Sequence, residues 1–185
     1  AIRAQNAGAI VRHESRQGKG NVVRQMFADI DADIYILADA DNAHPPEPAK
    51  IFVETLLAKH LDMVIGTRIA ESGRKYHAFG NRLFNTVVGT VFNRGMRDIF
   101  SGYRVFNRRF IKTFPAISRG FEIEMELSVH ALDLRLPFIE IPFQHCERPV
   151  GSESKLRTFR DGFKIAWRML VLLSETKPFR LFTWV

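Results

Sequence analysis

Apolar residues along the chain follow two rhythms. In GNVVRQMFADI, Val22, Val23, Met26, Phe27 and Ile30 fall on one face of a helix. DIYILAD is apolar without interruption and rich in β-formers, the pattern of a strand covered on both faces. The alternation then repeats. PEPAKIFVETLLAKH opens with prolines and reads as a helix, LDMVIGTR as a second buried strand, and FGNRLFNTVVGTVFN as a helix. FIEIPFQHCE is a further strand candidate, RPVGSESK a loop, and LRTFRDGFKIAWRMLVLLSE a long closing helix. Near the start, GAIVRHE has the composition of a short strand. Strands alternating with helices predict an α/β layered fold with a largely parallel sheet. No internal repeat or low-complexity tract interrupts it.

Ligands of such sheets sit beyond the carboxyl ends of the strands. The first strong strand ends in LADADN and the second in GTR, which brings Asp39, Asp41 and Arg68 to that edge. In extended backbone, residues two apart project to the same side, so Asp39 and Asp41 can aim at one point. Two carboxylates that close repel unless a cation or shared proton relieves them, and Mg²⁺ or Mn²⁺ suits an all-oxygen site that also holds phosphate. The other reading is a pair of turn and capping aspartates ahead of the prolines.

Composition narrows the chemistry. The chain of 185 residues carries a net charge of +7, which suits nucleic acid, anionic lipid or a phosphorylated substrate, or serves solubility alone. The single cysteine, Cys146, excludes a disulfide framework and a cysteine zinc cluster. The six histidines show no i, i+4 pairing that would suggest zinc, and His44 reads as an exposed loop residue. No apolar run approaches the roughly 20 residues of a membrane span. The opening AIRAQNAG without Met and the closing FRLFTWV give the expectation of a chain truncated at both ends.

The order DADNAHPPE, GTR, DIFSGYRVF, GFEIEMEL, RPVGSESKL resembles the family 2 glycosyltransferases. It is nearest to the branch of dolichyl-phosphate mannose synthases and bacterial polyprenyl-phosphate sugar transferases. The resemblance implies a GT-A fold: Rossmann-like, three-layered, mostly parallel, its N-terminal strands missing from this chain and an amphipathic helix at its end. It implies a partial catalytic domain over residues 1–156, and an interfacial helix over 157–185 leading to a truncated membrane segment. The activity implied is inverting transfer from a UDP- or GDP-linked sugar to a polyprenyl phosphate. Because the family's first strand and following acidic turn are absent, the chain by itself would lack half its donor pocket.

Carried over by position, the resemblance makes Asp39 and Asp41 the ligands of Mg²⁺ or Mn²⁺, with Asp41 also counted as catalytic. The polar residue usual two places later is Ala43, which leaves Asn42 or a water to complete the shell. Gly18, Lys19 and Gly20 match the turn near the nucleotide, and they also read as a plain helix start. Arg68, Arg148, Ser154 and Lys155 match positions associated with the acceptor phosphate, which Arg grips with a planar fork and Lys with a point charge. Asp98 is the general base if the acceptor is a hydroxyl; for a phosphate acceptor it organises Arg104, counted with the substrate-binding residues, or other cations of the site. Asp98 also fits a helix N-cap before FNRRFIKTF. Glu122 is a secondary catalytic candidate, while Glu126 reads as surface acid.

In the closing helix, Arg157, Arg160, Lys164 and Arg168 recur on one face, and Phe159, Phe163, Trp167 and Leu170 on another. Core packing and an interfacial helix on anionic lipid both produce such a pattern. With KPFRLFTWV following, the lipid reading assigns the excess charge to headgroups and a phosphorylated acceptor rather than nucleic acid. The location implied is the cytoplasmic face of a membrane, peripheral or anchored by transmembrane helices. Two rivals remain: transfer to a carbohydrate hydroxyl in cell-wall or exopolysaccharide synthesis, and a non-catalytic membrane-binding module of the same fold.

Overall fold

The computed structural model describes residues 2–40, 43–68, 75–144 and 158–179. After a short helix α1 (Ile2–Asn6), the order is α2 (Lys19–Asp29), β1 (Ile34–Leu37), α3 (Glu47–Ala58), β2 (Met63–Arg68), α4 (Lys75–Phe92), β3 (Arg104–Asn107), α5 (Arg108–Thr113), α6 (Glu122–Asp133), β4 (Phe138–Phe143) and α7 (Thr158–Thr176). GAIVRHE forms no strand. Ile10 is exposed, so the stretch buries no apolar face, and β-propensity alone leaves it irregular.

The sheet order is β1-β3-β2-β4. β2 and β4 are parallel, whereas β3 runs antiparallel to both β1 and β2. The expectation of a mostly parallel sheet is therefore corrected to a mixed one. β3 is the unforeseen strand, a four-residue RVFN inserted between the two strands with the clearest apolar signal. Because β1, β2 and β4 share one direction, their carboxyl ends still open on one edge.

Alternation along the strands feeds two cores. Met63, Ile65 and Phe106 point into a large cluster with residues of α2, α4, α5, α6 and α7. Val64, Val105 and Phe143 point the other way, onto Phe52 and Leu56 of α3. This is the expected three-layer arrangement, and each fully buried phenylalanine such as Phe52, Phe106 or Phe110 adds about 2–3 kcal/mol by leaving water.

α7 belongs to the larger core through Ile165, Met169, Leu172 and Leu173. Phe163 (73% exposed), Trp167 (62%) and Leu170 (48%) lie on its outer side. Arg168 is not on the outer basic face as expected: it turns inward, its Nε 3.3 Å from Ser118 Oγ. Arg157 lies outside the described residues, as do the side chains of Phe159 and Arg160.

Candidate functional site

At the carboxyl edge, the backbone leaving β1 is folded back by His44, whose Nδ1 accepts the Asp39 N–H at 2.8 Å. The imidazole stacks on Tyr103 with ring centres 4.9 Å apart, and the Tyr103 hydroxyl donates to the Pro45 carbonyl at 2.9 Å. His44 is thus a partly buried clamp on the aspartate turn, not an exposed loop residue. Ala43 is buried at 2% exposure and offers no side-chain donor. Asp41 and Asn42 lie outside the described residues.

Asp39 meets an ammonium. Lys19 Nζ lies 2.5 Å from Asp39 Oδ1 and 2.5 Å from Glu124 Oε1, a bridge from the start of α2 to the start of α6. Burial works against the Lys19 charge, yet Glu124 and Asp39 outweigh it and hold its pKa above the ordinary range. Burial pushes the Glu124 carboxyl up, and Lys19 opposes that rise without cancelling it. The causes differ: burial disfavours the charge on each, and the neighbouring carboxylates reverse that for Lys19, while the ammonium does not for Glu124. Gly102 makes room for the group. A Cβ there would come within 2.8 Å of Asp39 Oδ2 and 3.0 Å of both Lys19 Nζ and Glu124 Oε1.

The glycines flanking Lys19 serve a different contact from the one expected. A Cβ on Gly18 or Gly20 would fall 2.1 Å from the carbonyl oxygen of Arg119 or Ser118, and Gly18 has φ +129. The Gly20 and Asn21 amides donate to the carbonyls of Gly120 and Arg119 at 3.2 and 3.3 Å. These first-turn donors, the ones a phosphate would use, are occupied by protein backbone. The glycine–lysine turn is a close-packed joint that fixes where Lys19 starts.

Arg68 leaves the end of β2 and forms a two-pronged pair with Asp98, Nε to Oδ2 at 2.9 Å and Nη2 to Oδ1 at 3.1 Å. Asp98 is 5% exposed, and its Oδ1 also accepts the Phe100 N–H at 3.2 Å. Asp98 is no N-cap of α5; Asn107 fills that place, its side chain accepting the Phe110 N–H at 2.9 Å. Glu140 accepts the Arg97 and Asp98 amides at 2.7 and 3.2 Å, and Ser101 Oγ donates to the Gly66 carbonyl at 2.5 Å. The Asp98 loop is fastened to β2 and β4. Burial disfavours the Arg68 charge, but Asp98, then Glu124 and Asp39, raise its pKa, so both ion groups share one electrostatic neighbourhood.

Arg104 corrects an expectation. It is fully buried, donating to the carbonyls of Ser101 (2.7 Å), Ile99 (2.8 Å) and Glu124 (3.0 Å) and to Ser128 Oγ (2.8 Å). It does not reach the open edge, where the sequence places it; its partners lie in the floor of the site. Burial lowers its pKa to about 10. Glu126 is buried at 2%, accepting the Ile117 and Ser118 amides at 2.7 Å each, and is not surface acid. Glu122, partly exposed, packs beside Gly120 rather than in the Lys19 cluster. Arg148, Ser154 and Lys155 lie outside the described residues. Sequence reasoning missed Glu124 and Gly102 as site residues. The glycine in SGYR and the middle acid of GFEIEMEL were their only traces.

A divalent ion fits the chemistry present in part of this edge. Asp39 supplies a second oxygen, Oδ2, that Lys19 does not take up, on a side chain that is 35% exposed. Among the described residues no group of three or more metal-ligating side chains assembles, so any such site draws on Asp41 or on the substrate.

A model described as Glycosyl transferase family 2 matches residues 3–114. Glycosyltransferase AglJ of Haloferax volcanii is 32% identical over 164 residues, covering 86% of this chain and 54% of AglJ. The dolichol-phosphate mannosyltransferase of Pyrococcus furiosus is 26% identical over 155 residues, covering 80% of this chain and 43% of that enzyme. The chain spans about half the length of the curated relatives it matches. In structure it is similar to glucosyl-3-phosphoglycerate synthase from Mycobacterium tuberculosis, crystallised with Mn²⁺, UDP and glucosyl-3-phosphoglycerate. There the TM-score is 0.71 at 20% identity, over 95% of this chain and 63% of the synthase, a likeness of fold.

Proposed function

This chain belongs to glycosyl transferase family 2, and we propose that its protein moves a sugar from a nucleotide-diphosphate donor to a polyprenyl phosphate at a membrane surface. The observation that carries the acceptor is the Arg68–Asp98 pair. Both Asp98 oxygens already accept hydrogen bonds, and its backing leaves an Arg68 side chain that is 45% exposed at the carboxyl edge. That arrangement suits holding an anionic acceptor better than removing a proton from a hydroxyl, because the base's lone pairs are engaged. A phosphate nucleophile is already charged and needs no strong base.

On the donor side, Asp39 and Asp41 are the carboxylates that would hold Mg²⁺ or Mn²⁺. When bound, such an ion acts as Lewis acid, neutralising charge on the departing diphosphate. Lys19 and Glu124 set the position of Asp39, His44 fixes its backbone, and Arg104 holds the floor beneath. Arg148, Ser154 and Lys155 complete the acceptor group in this reading, and Glu122 stands at its margin.

Membrane attachment is supported by α7. Phe163, Trp167 and Leu170 form an i, i+4, i+7 apolar stripe facing outward, with Lys164 exposed beside it. No helix of the described residues is long and apolar enough to cross a membrane. Headgroup contact fits this stripe and the net charge of +7.

The test is sugar transfer by the full-length protein, with radiolabelled UDP- and GDP-sugars, Mn²⁺, and vesicles containing undecaprenyl or dolichyl phosphate. Lipid-extractable label that disappears in Arg68→Met is the expected result. Label appearing only on saccharide hydroxyls would replace this reading with the polysaccharide one, and absence of any UDP- or GDP-dependent Mn²⁺ binding would leave a non-catalytic module.

A further inference from the structure

We infer that Lys19 is a resident counter-ion of Asp39 that keeps the site from holding a divalent cation by itself, so that the ion enters only with the donor's diphosphate. The inference rests on the metal reading above and adds a rule for the order of binding.

Three observations carry it. The Lys19 ammonium sits 2.5 Å from Asp39 Oδ1 and 2.5 Å from Glu124 Oε1, with its side chain only 14% exposed. It therefore occupies one of the two oxygens that a chelating carboxylate would present, and any ion on the other oxygen lies beside a positive charge. Second, the lysine has little room to retreat. Its backbone is locked by Gly18 and Gly20 beneath the carbonyls of Arg119 and Ser118, and Glu124, on a different helix, holds the ammonium from the buried side. Third, Gly102 closes the remaining flank, its missing Cβ lying 3.0 Å from Nζ.

Charge decides the outcome. The Lys19 ammonium offsets one of the two carboxylate charges it bridges, Asp39 and Glu124. A small divalent ion that dehydrates reluctantly therefore meets one negative charge fewer at Asp39 than the carboxylates alone would offer. A nucleoside diphosphate brings two or three further negative charges and its own oxygens. The same ammonium that repels the lone ion attracts the anion that accompanies it. Lys19 acts through Asp39 and is a positioning residue for the metal–nucleotide pair.

The measurement is Mn²⁺ binding to the full-length protein, followed by the electron paramagnetic resonance signal of free aquo-Mn²⁺, with and without UDP and without any acceptor. Wild type is expected to bind Mn²⁺ weakly alone and about tenfold or more tightly with UDP. Lys19→Met should bind Mn²⁺ alone about tenfold or more tightly than wild type, shrinking the UDP effect by the same factor. Lys19→Arg, which keeps the charge, should stay weak. Lys19→Gln, which removes the charge but keeps a donor between the two carboxylates, gives the same gain if Lys19→Met does not fold. Lys19→Met binding Mn²⁺ alone no tighter than wild type, while UDP-dependent binding persists, would overturn the counter-ion role and leave the metal reading standing. No Mn²⁺ binding in wild type or variant even with UDP would sink both.

Discussion

Arg68 spends two of its guanidinium nitrogens on both oxygens of Asp98, at 2.9 and 3.1 Å, while nearly half of its side chain stays open at 45% exposure. A cation held so firmly from behind is oriented before any ligand arrives. Arg68→Met and Asp98→Asn should therefore each lower kcat/KM for a polyprenyl-phosphate acceptor by about a hundredfold, and the double variant should lose little more than the worse single one. Steady-state kinetics on the three proteins provides the check. Multiplying losses would mean that the two residues act separately.

Two glycines should respond in opposite ways. In Gly20→Ala the new Cβ would press on the Ser118 carbonyl from 2.1 Å, a backbone clash with no flexible side chain to yield. Overpacking of that kind costs about 2 kcal/mol, so thermal unfolding should shift down by about 5 °C. Gly102→Ala meets only side-chain ends, the nearest being Asp39 Oδ2 at 2.8 Å. Its melting temperature should hold while Mn²⁺–UDP affinity falls by about tenfold, since the displaced atom is the oxygen left for the ion.

Arg104 joins the Asp98 loop to α6 through carbonyls of Ile99, Ser101 and Glu124. Arg104→Met should cost about 3 kcal/mol by orphaning those acceptors in the core. Arg104→Lys should recover little, because one ammonium cannot reach all three. Urea denaturation measures both, and near-wild-type stability in Arg104→Met would remove its role as a pin.

His130 supplies a pH dependence. Burial against Phe110 and Phe114 lowers its pKa from the ordinary 6.5, with Asp133 and Glu126 opposing weakly. As pH falls through that value the unfolded chain takes its proton first, so the unfolded state binds more protons and stability drops until the folded pKa is passed. Urea midpoints should therefore decline from about pH 7.5 to about pH 5.5, and His130→Phe should flatten that slope. An unchanged slope would assign the decline to other groups.

The outer stripe of α7 is testable without activity. Trp167, 62% exposed, contributes little to the core, so Trp167→Ser should leave the unfolding midpoint within about 0.5 kcal/mol of wild type. Flotation with anionic vesicles should fall by about tenfold, because an inserted indole is worth about 1–2 kcal/mol. Equal flotation would move membrane contact away from this helix.

The chain's own pattern determined its layers. Periodicity placed α2, α3, α7, β2 and β4 near their observed spans, because a stripe or a buried run must face a core whatever its neighbours do. It also named the edge: Asp39, Asp41 and Arg68 follow strands, and strand direction alone takes them to the same side. Neither β3 nor the fate of charged residues was decided in this way. RVFN is too short to carry a period, and it became a strand because two neighbouring edges were left to pair. Arg104 was drawn inside by the Glu124 carbonyl 20 residues on as well as by its own loop, Glu126 by amides 8 and 9 residues back across a turn of the chain, and Lys19 by acids 20 and 105 residues away. A polar side chain's environment is set by which partners the fold brings within hydrogen-bond reach, and that information lies in no local stretch of the chain.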